Sequence, residues 1–422
     1  MNNPKVLVIG GGAAGMMAAI SAAELGAQGT ILEKNERLGR KVMITGKGRC
    51  NLTNKTDLNG LIDATVGNGR FLYSAFSQFM PQDMMAFLER EGLPLKTERG
   101  NRVFPVSDKA ADVVDCLARK LRSLHVGVRQ GTAVALLHAG GAVTGVKTKA
   151  GEQIVADRVI ICTGGSSYTP TGSTGDGYRL AKQVGHTVMP LRPSLVPLES
   201  PVPWCKEMQG LSLRNIKIRL VENQSGACVY TDFGEMLFTH FGVSGPVVLS
   251  ASAHIRNADP IAYSLEIDLK PALDERQLDD RLLRDFTKYQ NRDFHHLFED
   301  LLPRKMIPVF VRRSAIPPER KGNQITREMR QTVVRLMKRF DLPLSGFRPL
   351  EEAIVTAGGV SVKEINPKTM ESKRISGLYF AGEVIDVDAY TGGFNLQIAW
   401  STGRLAGTCA AQFSAAQFSE VQ

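Results

Sequence analysis

The amino-acid sequence predicts an α/β protein whose main domain is interrupted by an insertion. Three observations support this fold class: glycine-bounded apolar segments early and late in the sequence, short alternating segments in its middle, and a proline-broken helical stretch after them. We expect the main domain at residues 1–193 and 347–422, and an inserted antiparallel, barrel-like β domain at 194–272 that 341–360 could complete. A small, basic helical insert is expected at 273–340.

The first predicted element is a βαβ unit. Residues 5–9, Lys-Val-Leu-Val-Ile, form a short apolar segment that runs into glycines, which predicts a buried parallel strand. Residues 13–25 are rich in Ala and Met and predict a helix that ends at Gly26. Residues 30–32 predict a second strand, closed by Glu33. Strand, glycine turn, helix, strand and acidic residue follow one another within about 30 residues, as in a βαβ unit.

The turn of this unit carries a dinucleotide-binding pattern, because its six residues read G-x-G-x-x-G. The first glycine, Gly10, permits the tight turn, Gly12 lets the backbone approach a pyrophosphate, and Gly15 allows close packing of helix and strand. The helix N-terminus, at Ala13 and Ala14, offers N–H groups and a positive dipole end to the phosphates. The pattern predicts a Rossmann-type dinucleotide-binding domain.

An acidic residue at the expected distance supports the same prediction. Glu33 lies 18 residues after the last fingerprint glycine, where an acid accepts hydrogen bonds from the adenosine ribose and disfavours a 2′-phosphate. The late part of the sequence distinguishes FAD from NAD. There Gly382 and Glu383 follow an apolar strand, and residues 390–395 open a last helix, predicted at 396–413. This layout resembles FAD proteins of the glutathione-reductase and fumarate-reductase classes.

The remaining segments fit the same plan. Residues 110–124 have helical periodicity, 126–137 predict strands, and 158–162 predict another buried strand. The segments 216–220 and 265–269 alternate between apolar and polar residues, which is typical of antiparallel strands with one buried face. The nucleotide domain is therefore predicted to combine early and late segments of the sequence, with the β and helical insertions between them.

Motifs along nearly the whole chain resemble those of a known family. They are found, in the expected order, at residues 39–41, 46–51, 102–107, 163–165, 174–178, 237–246, 356–360 and 382–384. In these motifs the sequence is similar to a bacterial FAD-binding family that includes aminoacetone oxidase and the BaiN-type bile-acid dienone reductases. The resemblance implies non-covalent binding of one FAD and redox chemistry on a small organic molecule. It does not identify the substrate.

The fingerprint and the resemblance together give the predicted FAD contacts. The family loop implies that Arg49 and Asn51 lie beside the flavin ring, and such folds use a backbone group near Val134 to read the adenine. Cys50 has no partner cysteine close in sequence, and we interpret it as a buried, inert thiol. The predicted FAD-binding residues are Gly10, Gly12, Ala13, Ala14, Gly15, Glu33, Lys34, Arg40, Lys41, Gly48, Arg49, Cys50, Asn51, Val134, Thr163, Gly164, Gly165, Asp176, Gly382, Glu383, Gly392, Gly393, Phe394 and Asn395.

Three side chains are candidates for acid–base or substrate-binding roles. His240 lies in a loop-like segment of the inserted β unit and could face the flavin as proton donor or substrate ligand; a structural histidine is the alternative. Asp386 and Tyr390 precede the last helix and could act as acid or base, with a packing role as the alternative. No metal site is predicted, because the six cysteines show no CxxC and no metal-ligand spacing.

The predicted activity is hydride transfer from NAD(P)H through FAD to an activated carbon–carbon double bond, as in an enone or dienone of a steroid- or bile-acid-like substrate. Fumarate reductases reduce a comparable bond, which supports this reading by analogy. No second G-x-G-x-x-G lies between residues 16 and 380, so NAD(P)H would dock transiently over the flavin. The alternatives are an FAD-dependent, aminoacetone-like amine oxidase that uses oxygen, a flavin-bearing RNA-binding or RNA-modifying protein, and a redox-responsive binding protein without turnover.

Charge and composition limit the partners. Residues 275–340 contain sixteen Lys/Arg and nine Asp/Glu, an excess of seven positive charges in a chain of net charge +10. This field could attract an anionic substrate, and a solvated helical surface is the alternative. Nucleic acid is disfavoured because the segment lacks a recognisable RNA-binding motif. With no signal-peptide pattern and no apolar run near the roughly 20 residues of a membrane span, we expect a soluble cytoplasmic protein with a small-molecule substrate. The oligomeric state is not predicted.

Overall fold

The computed structural model describes residues 3–255 and 259–412. The chain divides into two compact units. One unit extends up to Ser194 and resumes at Leu350, and the other is Leu195–Pro349. We call the first the nucleotide unit and the second the inserted unit. Phe413, the last residue of the predicted closing helix, lies outside the described residues.

The first segment of the nucleotide unit alternates strands and helices. Its strands are β1 (Lys5–Ile9), β2 (Gln28–Glu33), β3 (Thr53–Asn54), β4 (Thr65–Gly67), β5 (Leu95–Glu98), β6 (Arg102–Pro105), β7 (Gly127–Gln130), β8 (Ala133–Ala139), β9 (Ala142–Thr148), β10 (Gln153–Val155), β11 (Arg158–Ile161) and β12 (Val188–Ser194). Its α-helices are α1 (Ala13–Glu24), α2 (Arg40–Ile44), α3 (Leu58–Asp63), α4 (Tyr73–Gln78), α5 (Pro81–Arg90), α6 (Ala110–Ser123) and α7 (Asp176–Gln183).

The inserted unit follows, and the nucleotide unit then resumes. The strands of the inserted unit are β13 (Leu198–Glu199), β14 (Ser212–Glu222), β15 (Cys228–Phe238), β16 (Gly242–Ser244), β17 (Tyr263–Asp268), β18 (Phe340–Pro343) and β19 (Gly346–Phe347). Its α-helices are α8 (Trp204–Glu207), α9 (Pro246–Ser252), α10 (Glu275–Lys288), α11 (Ile307–Ser314) and α12 (Arg327–Lys338). The second segment of the nucleotide unit contains β20 (Val355–Val360), β21 (Leu378–Phe380), β22 (Asp388–Ala389) and α13 (Phe394–Gln412).

A five-stranded parallel sheet in the order β21-β11-β1-β2-β7 forms the centre of the nucleotide unit. The central strand β1 places Val8 opposite Ile160 of β11 and Ile31 of β2. Its side chains are buried because helices cover both faces of such a sheet, which explains the continuous apolar run in the sequence. The late strand β21 pairs with β11, so the sheet joins distant parts of the chain. This confirms the predicted α/β, Rossmann-type fold.

Helices α1 and α13 pack with their backbones in close approach. A Cβ atom at Gly403 of α13 would lie 2.4 Å from the carbonyl oxygen of Ala14, and one at Gly407 would lie 2.1 Å from that of Ala18. A residue larger than glycine at either position would therefore push the helices apart. The late helix is in this way fixed directly against the helix that follows the glycine fingerprint.

A short antiparallel ribbon, β12 with β20, connects the two segments of the nucleotide unit. Arg192 lies opposite Ala357, and the register shifts between Met189 and Arg192, which marks a β-bulge. Gly358 permits the close approach, because a Cβ there would lie 2.2 Å from the carbonyl oxygen of Pro190. The bulge changes the direction in which the side chains of β12 project.

The inserted unit contains a sheet with the order β18-β17-β14-β15-β16-β13-β19. Its pairs are antiparallel, and β14 places Ile218 opposite Ile267 of β17. Burial alternates along β14, as expected for a sheet with one face on a core. The segments 216–220 and 265–269, predicted from their alternation, fall on β14 and β17. The order begins at β18 and ends at β19, as an open series rather than a closed ring.

The helices at 273–340 share one hydrophobic core with this sheet. Leu282 of α10, Phe310 of α11 and Val333 of α12 are buried in the same cluster as Leu265 and Ile267 of β17. The basic helical segment and the β segment were predicted as separate parts, but they pack as a single compact unit. Their apolar faces leave the charged residues outward, as in amphipathic helices.

The segment 341–360, considered for completing the inserted sheet, is divided between the two units. Phe340–Pro343 pairs with β17 in the inserted sheet. Val355–Val360 pairs with β12 in the nucleotide unit instead. Gly358 permits the close approach of this second strand, because a Cβ there would lie 2.2 Å from the Pro190 carbonyl oxygen.

Candidate functional site

The nucleotide unit contains a large cleft at the carboxyl ends of β1, β2 and β11. This is where ligands bind in open α/β sheets. The lining includes the glycine turn after β1, Glu33 at the end of β2, Thr163 after β11, and the first turns of α13. Its volume is about 1280 Å³, counted with the mouth that opens to solvent. The lining joins the glycine turn, the end of β2 and the first turns of α13, which is the arrangement of a Rossmann-type dinucleotide site.

The glycine turn at the base of the cleft has the geometry that its pattern predicts. Gly10 has a φ of +98°, and Gly15 packs so closely that a Cβ would lie 1.8 Å from the Gly10 carbonyl oxygen. A Cβ on Gly12 would instead meet nothing within 4 Å. Helix α1 begins directly after Gly12 without a side-chain cap. The turn therefore presents open space and helix N-terminal N–H groups to the cleft, which is an anion-binding arrangement.

Glu33 closes one side of this turn. Its side chain is buried, and Oε2 accepts a hydrogen bond of 2.7 Å from the Gly11 N–H. Its Oε1 accepts from the backbone N–H of Asn35 at 2.8 Å. The carboxylate thus holds the glycine turn against the end of β2. It also lines the cleft, where its acceptor oxygens can meet ribose hydroxyls.

Two lysine–carboxylate pairs frame the cleft. Lys41 donates to Glu383 at 2.7 Å and to the Ser167 hydroxyl at 2.8 Å. The other oxygen of Glu383 accepts from the Thr356 N–H at 2.8 Å. These contacts join α2, β20 and the turn after β21, so distant parts of the sequence position one carboxylate.

The second pair lies at the other end of the lining. Lys34 donates to Asp176 at 2.6 Å and to the Thr174 hydroxyl at 2.6 Å. Gln183 donates to the carbonyl of Val134 at 2.8 Å and accepts from the Leu136 N–H, which fixes strand β8 beside this end. Lys34, Val134 and Asp176 border an adjoining cavity. Val134 is thus next to the main cleft rather than in its lining.

The loop 46–51 is held by side-chain contacts of its own. Arg49 donates to Asp108 at 2.8 Å and pairs with Glu98, and its guanidinium lies 4.1 Å from the Phe104 ring centroid. Hydrogen bonds to both acids raise the pKa of Arg49. The hydrogen bond with Arg49 lowers the pKa of Glu98, and hydrogen bonds with Lys96 and Arg49 lower the pKa of Asp108. These partners explain why Arg49, predicted beside the flavin ring, does not line the cleft.

The next two residues of the loop differ from Arg49. Burial raises the pKa of the Cys50 thiol to about 12, although a hydrogen bond to Thr45 opposes this, so the thiol stays protonated. Oδ1 of Asn51 is buried and has no hydrogen-bond partner within the described residues. An orphaned acceptor of this kind calls for a donor from a water or a ligand.

The structure gathers many of the predicted cofactor residues in one lining and leaves others outside it. Those that line the cleft are Gly10, Gly12, Ala13, Ala14, Glu33, Lys34, Arg40, Lys41, Thr163, Gly164, Asp176, Gly382, Glu383 and Asn395. Those outside the lining are Gly15, Gly48, Arg49, Cys50, Asn51, Val134, Gly165, Gly392, Gly393 and Phe394. Gly15 and Gly393 are packing positions, since a Cβ on Gly393 would lie 2.4 Å from the backbone of Thr53.

The predicted catalytic residues fall in both units. Asp386 follows the Gly382 turn and accepts from Asn68 Nδ2 at 3.1 Å, and Tyr390 precedes α13. His240 lies in the inserted unit, in the turn between β15 and β16, with its ring edge-on to Phe241 at 5.0 Å. None of the three lines the cleft. Their roles stay predictions.

Sequence reasoning missed several residues of the site. Ser167 and Thr356 complete the hydrogen bonding around Glu383, and Asn35 pairs with Glu33. Arg192, on the bulged strand β12, lies within electrostatic range of Asp386. The Thr-Ala-Gly-Gly motif that contains Thr356 was a usable signal. No sequence pattern pointed to Arg192, because its position depends on strand pairing.

The described residues fit an FAD. Gly12 leaves room for a pyrophosphate beside an uncapped helix N-terminus, Glu33 offers acceptors to a ribose, and Oδ1 of Asn51 is a buried acceptor without a donor. Among the same residues, no cluster of three or more His, Cys, Asp or Glu side chains has a metal-binding arrangement. In that part of the chain, no helix is both long and apolar enough to cross a membrane.

Comparison with known proteins gives three findings. The chain is 33% identical over 415 residues to the 3-dehydro-bile acid delta(4,6)-reductase of Clostridium scindens, which covers 97% of this chain and 99% of that protein. It is 29% identical over 416 residues to the ribosomal RNA dihydrouridine synthase of Escherichia coli, covering 98% of each. Among solved structures it is similar to the 3-ketosteroid-delta4-(5alpha)-dehydrogenase of Rhodococcus jostii RHA1, with a TM-score of 0.53 and 17% identity over 97% of both chains.

The solved structure shows a shared fold alone, because its sequence identity is low. The sequence-level matches carry the family assignment. A family model described as the HI0933-like protein Rossmann domain matches residues 4–409, nearly the whole chain. The similarity to the Clostridium reductase covers 97% of the chain. The chain therefore belongs to the HI0933-like Rossmann-domain family and is a flavoprotein of the FAD-dependent oxidoreductases.

Proposed function

We propose that the chain is an NAD(P)H-dependent flavoprotein reductase that saturates a carbon–carbon double bond conjugated to a carbonyl group. The observation that carries this proposal is the similarity, over 97% of the chain, to a protein named as a reductase of a bile-acid dienone. The cleft in the nucleotide unit supplies the place for the flavin nucleotide.

The second relative supports the same reaction class. Its name, dihydrouridine synthase, describes addition of two hydrogens to the C5=C6 bond of uridine. That bond is conjugated to the C4 carbonyl, just as the double bonds of a keto-dienone are conjugated to their ketone. Hydride addition at the carbon β to a conjugated carbonyl moves negative charge to the carbonyl oxygen until a proton arrives at the α carbon. We therefore assign the conjugated carbonyl as the feature that the substrate must have.

The residues of the chain have defined tasks in this proposal. The N-terminus of α1 and Gly12 bind the pyrophosphate, and Glu33 orients the adenosine ribose. Lys41 and Glu383, fixed by Ser167, hold the ribityl and phosphate region. When bound, the flavin supplies a hydride acceptor and donor. Because the fingerprint occurs once, NAD(P)H has no domain of its own and must bind transiently.

RNA is a second candidate substrate, favoured by one observation. The 29% identical relative acts, by its name, on ribosomal RNA. The inserted unit here also carries exposed arginines that could contact phosphates: Arg276, Arg284, Arg304 and Arg327. Other basic residues of the segment are already paired, such as Arg330 with Asp279 at 2.6 Å. A conjugated uracil within RNA would then replace the small enone.

An anaerobic experiment tests the proposal. The purified protein is mixed with NADH or NADPH, and loss of the oxidised-flavin absorbance is followed by stopped flow. The reduced protein is then mixed with 2-cyclohexen-1-one, a 3-keto-Δ4 steroid, or a uridine-containing RNA, and reoxidation is recorded. We expect reduction by a nicotinamide and reoxidation by a conjugated carbonyl compound. Reduction only by amines, followed by reoxidation only by oxygen, would assign the amine-oxidase alternative instead.

Product analysis separates the two substrate classes. Mass spectrometry of digested RNA detects two added hydrogens on uridine, and the same measurement on a small enone detects its saturated ketone. A product from RNA alone would select the RNA candidate. A chain that shows neither product, although its flavin is reduced, would contradict both.

A further inference from the structure

A cluster of polar groups in the nucleotide unit lies outside the FAD lining and has an unused hydrogen-bond donor. Nη1 of Arg192 is buried and has no hydrogen-bond partner among the described residues. Burying a charged donor without an acceptor costs several kcal/mol in general, so such a group calls for an explanation. A ligand that brings an acceptor oxygen would supply the missing contact.

The backbone positions this arginine by a specific device. Arg192 lies at the end of the bulge in β12, and Gly358 on the opposite strand has a φ of +88°. Gly359 makes a second close approach, because a Cβ there would lie 2.7 Å from the Val384 carbonyl oxygen. The bulge therefore depends on two adjacent glycines and turns the arginine toward the segment that follows Val384. Bulges of this kind are common next to active sites.

Asp386 lies in that segment: its backbone N–H donates to the Val360 carbonyl of β20 at 3.0 Å, and its carboxyl lies within electrostatic range of Arg192. Asn68 Nδ2 donates to its carboxyl at 3.1 Å and to its backbone carbonyl at 2.7 Å, and the Gly358 N–H also donates to the carboxyl. Burial raises the pKa of Asp386, while Asn68, Arg192 and the Gly358 N–H oppose this. The carboxyl is thus close to a cation, yet it holds its proton more readily than the carboxyl of an exposed aspartate does.

We propose that Arg192 and Asp386 form the site for the substrate's conjugated carbonyl group. Nη1 of Arg192 donates to the carbonyl oxygen, and the Asp386 carboxyl delivers the proton to the α carbon. This inference rests on the proposed function for the class of substrate. It adds the two residues that recognise this class of substrate. One of them, Arg192, was not revealed by the sequence.

The step balances in atoms and charge. The bound flavin, when reduced, would supply the hydride for the new C–H bond at the β carbon; the π bond breaks, and its electron pair moves onto the carbonyl oxygen. Arg192 stabilises this oxyanion as the charge develops, which is where catalysis gains most. The α carbon then takes the proton of Asp386. The resulting carboxylate is stabilised by the Arg192 charge, Asn68 and the Gly358 N–H, and it regains a proton from water.

A binding experiment tests the arginine without requiring turnover. The oxidised holoprotein is titrated with 4-nitrophenolate, whose charged oxygen on a flat ring resembles an enolate, and binding is followed by absorbance and equilibrium dialysis. We expect Arg192→Gln to weaken binding by about tenfold or more, as for loss of a charge-assisted hydrogen bond. Arg192→Lys, which keeps the charge, should recover part of the loss. Arg122→Gln, an exposed position on α6, is the matched control and should bind as the parent does.

Kinetics with 2-cyclohexen-1-one test the carboxyl. We expect Asp386→Asn to lower kcat by about 100-fold, the usual contribution of a general acid, with KM and phenolate binding changed little. Arg192→Gln should raise KM and lower kcat. Flavin absorbance and thermal melting confirm that each variant is folded and loaded. An unchanged kcat in Asp386→Asn would overturn the proton-delivery role.

The two proposals fail in distinguishable ways. If phenolate binding depends on Arg192 but the protein reduces neither an enone nor RNA uridine, the oxyanion site stands and the proposed function is overturned. If the protein reduces an enone but Arg192→Gln changes neither phenolate binding nor KM, the proposed function stands and the site is overturned.

Discussion

Two helices of the inserted unit and two of the nucleotide unit begin in different ways. In the inserted unit, α10 starts after Asp274, whose side chain accepts from the Gln277 N–H at 2.7 Å, and α12 starts after Thr326, which caps in the same manner. In the nucleotide unit, α1 and α7 start after Gly12 and Gly175 without a side-chain cap. A capped start satisfies the helix internally, whereas an uncapped start leaves N–H groups for a partner.

Capped and uncapped starts are each found in both units. Helix α3 of the nucleotide unit lies outside the cleft lining, and Asp57 caps it through the Gly60 N–H at 2.8 Å. Helix α9 of the inserted unit begins after Gly245 without a side-chain cap. At α1 and α7 the uncapped start coincides with the cleft lining, so their N–H groups are available to a ligand there.

The largest expected effect comes from filling the closest glycine contact. Gly15→Ala would place a Cβ 1.8 Å from the Gly10 carbonyl oxygen, so the turn must open. We expect a loss of stability of more than about 4 kcal/mol in the nucleotide unit, measured by urea unfolding, and purification without flavin. Gly29→Ala, whose nearest neighbour would be 3.5 Å away, is the control and should retain the flavin. Equal behaviour of the two variants would contradict the packing role of Gly15.

A second variant gives the nucleotide unit the capped start of the inserted unit. Gly12 has a φ of −79° and extended backbone, which an aspartate N-cap can adopt. Gly12→Asp should leave the flavin-free protein as stable as the parent or more so, yet weaken FAD binding by on the order of 100-fold, because its charge repels the pyrophosphate. Gly12→Asn caps without charge and should bind FAD better than Gly12→Asp. Tight FAD binding by Gly12→Asp would show that the pyrophosphate lies elsewhere.

Removing a cap in the inserted unit should give a smaller and purely structural effect. Asp274→Ala leaves the Gln277 N–H without its acceptor, and we expect a loss of about 1 kcal/mol in the unfolding free energy. Flavin content should be unchanged. Asp57→Ala, which uncaps α3, serves as the matched variant in the nucleotide unit. A loss of flavin on Asp274→Ala would mean that the cap has a role beyond its helix.

The smallest effect concerns pH. His186 is buried between Glu364, at 3.2 Å, and the Ser372 hydroxyl, at 2.7 Å, and burial lowers its pKa although Glu364 opposes this. The unfolded chain therefore binds a proton more readily, and stability of the nucleotide unit should decrease as the pH falls below about 6.5. Melting temperatures between about pH 5 and 7.5 measure this, and His186→Gln should flatten the dependence. His296→Gln, at an exposed position of the inserted unit, should leave it unchanged.

Much of the fold could be predicted because its signals are local. The run at Val6–Ile9, the glycine turn and Glu33 act within one βαβ unit, and the alternation of 216–220 needs only a strand with one buried face. The shared core of the inserted unit could not be predicted in this way. Packing of α10 and α12 onto β17 depends on tertiary contacts that no periodicity encodes.

The site residues show the same contrast between local signals and tertiary contacts. Residues of the glycine turn reach the cleft because the motif itself fixes their geometry. Arg49, predicted beside the flavin ring from the family loop, forms ion pairs with Glu98 and Asp108, which another strand and loop bring near, and its contact with the flavin stays a prediction. Arg192 went unnoticed because its orientation follows from a bulge that forms only when β12 meets β20.

The direct packing of α13 on α1 has a consequence for biosynthesis. Asn395, Ile398 and Ala399 of α13 form one wall of the cleft, and Gly10 and Gly12 also line it. A growing polypeptide exposes the glycine turn long before the ribosome has translated this last wall. Cofactor loading must therefore wait until translation has passed α13, and prematurely terminated products will be colourless.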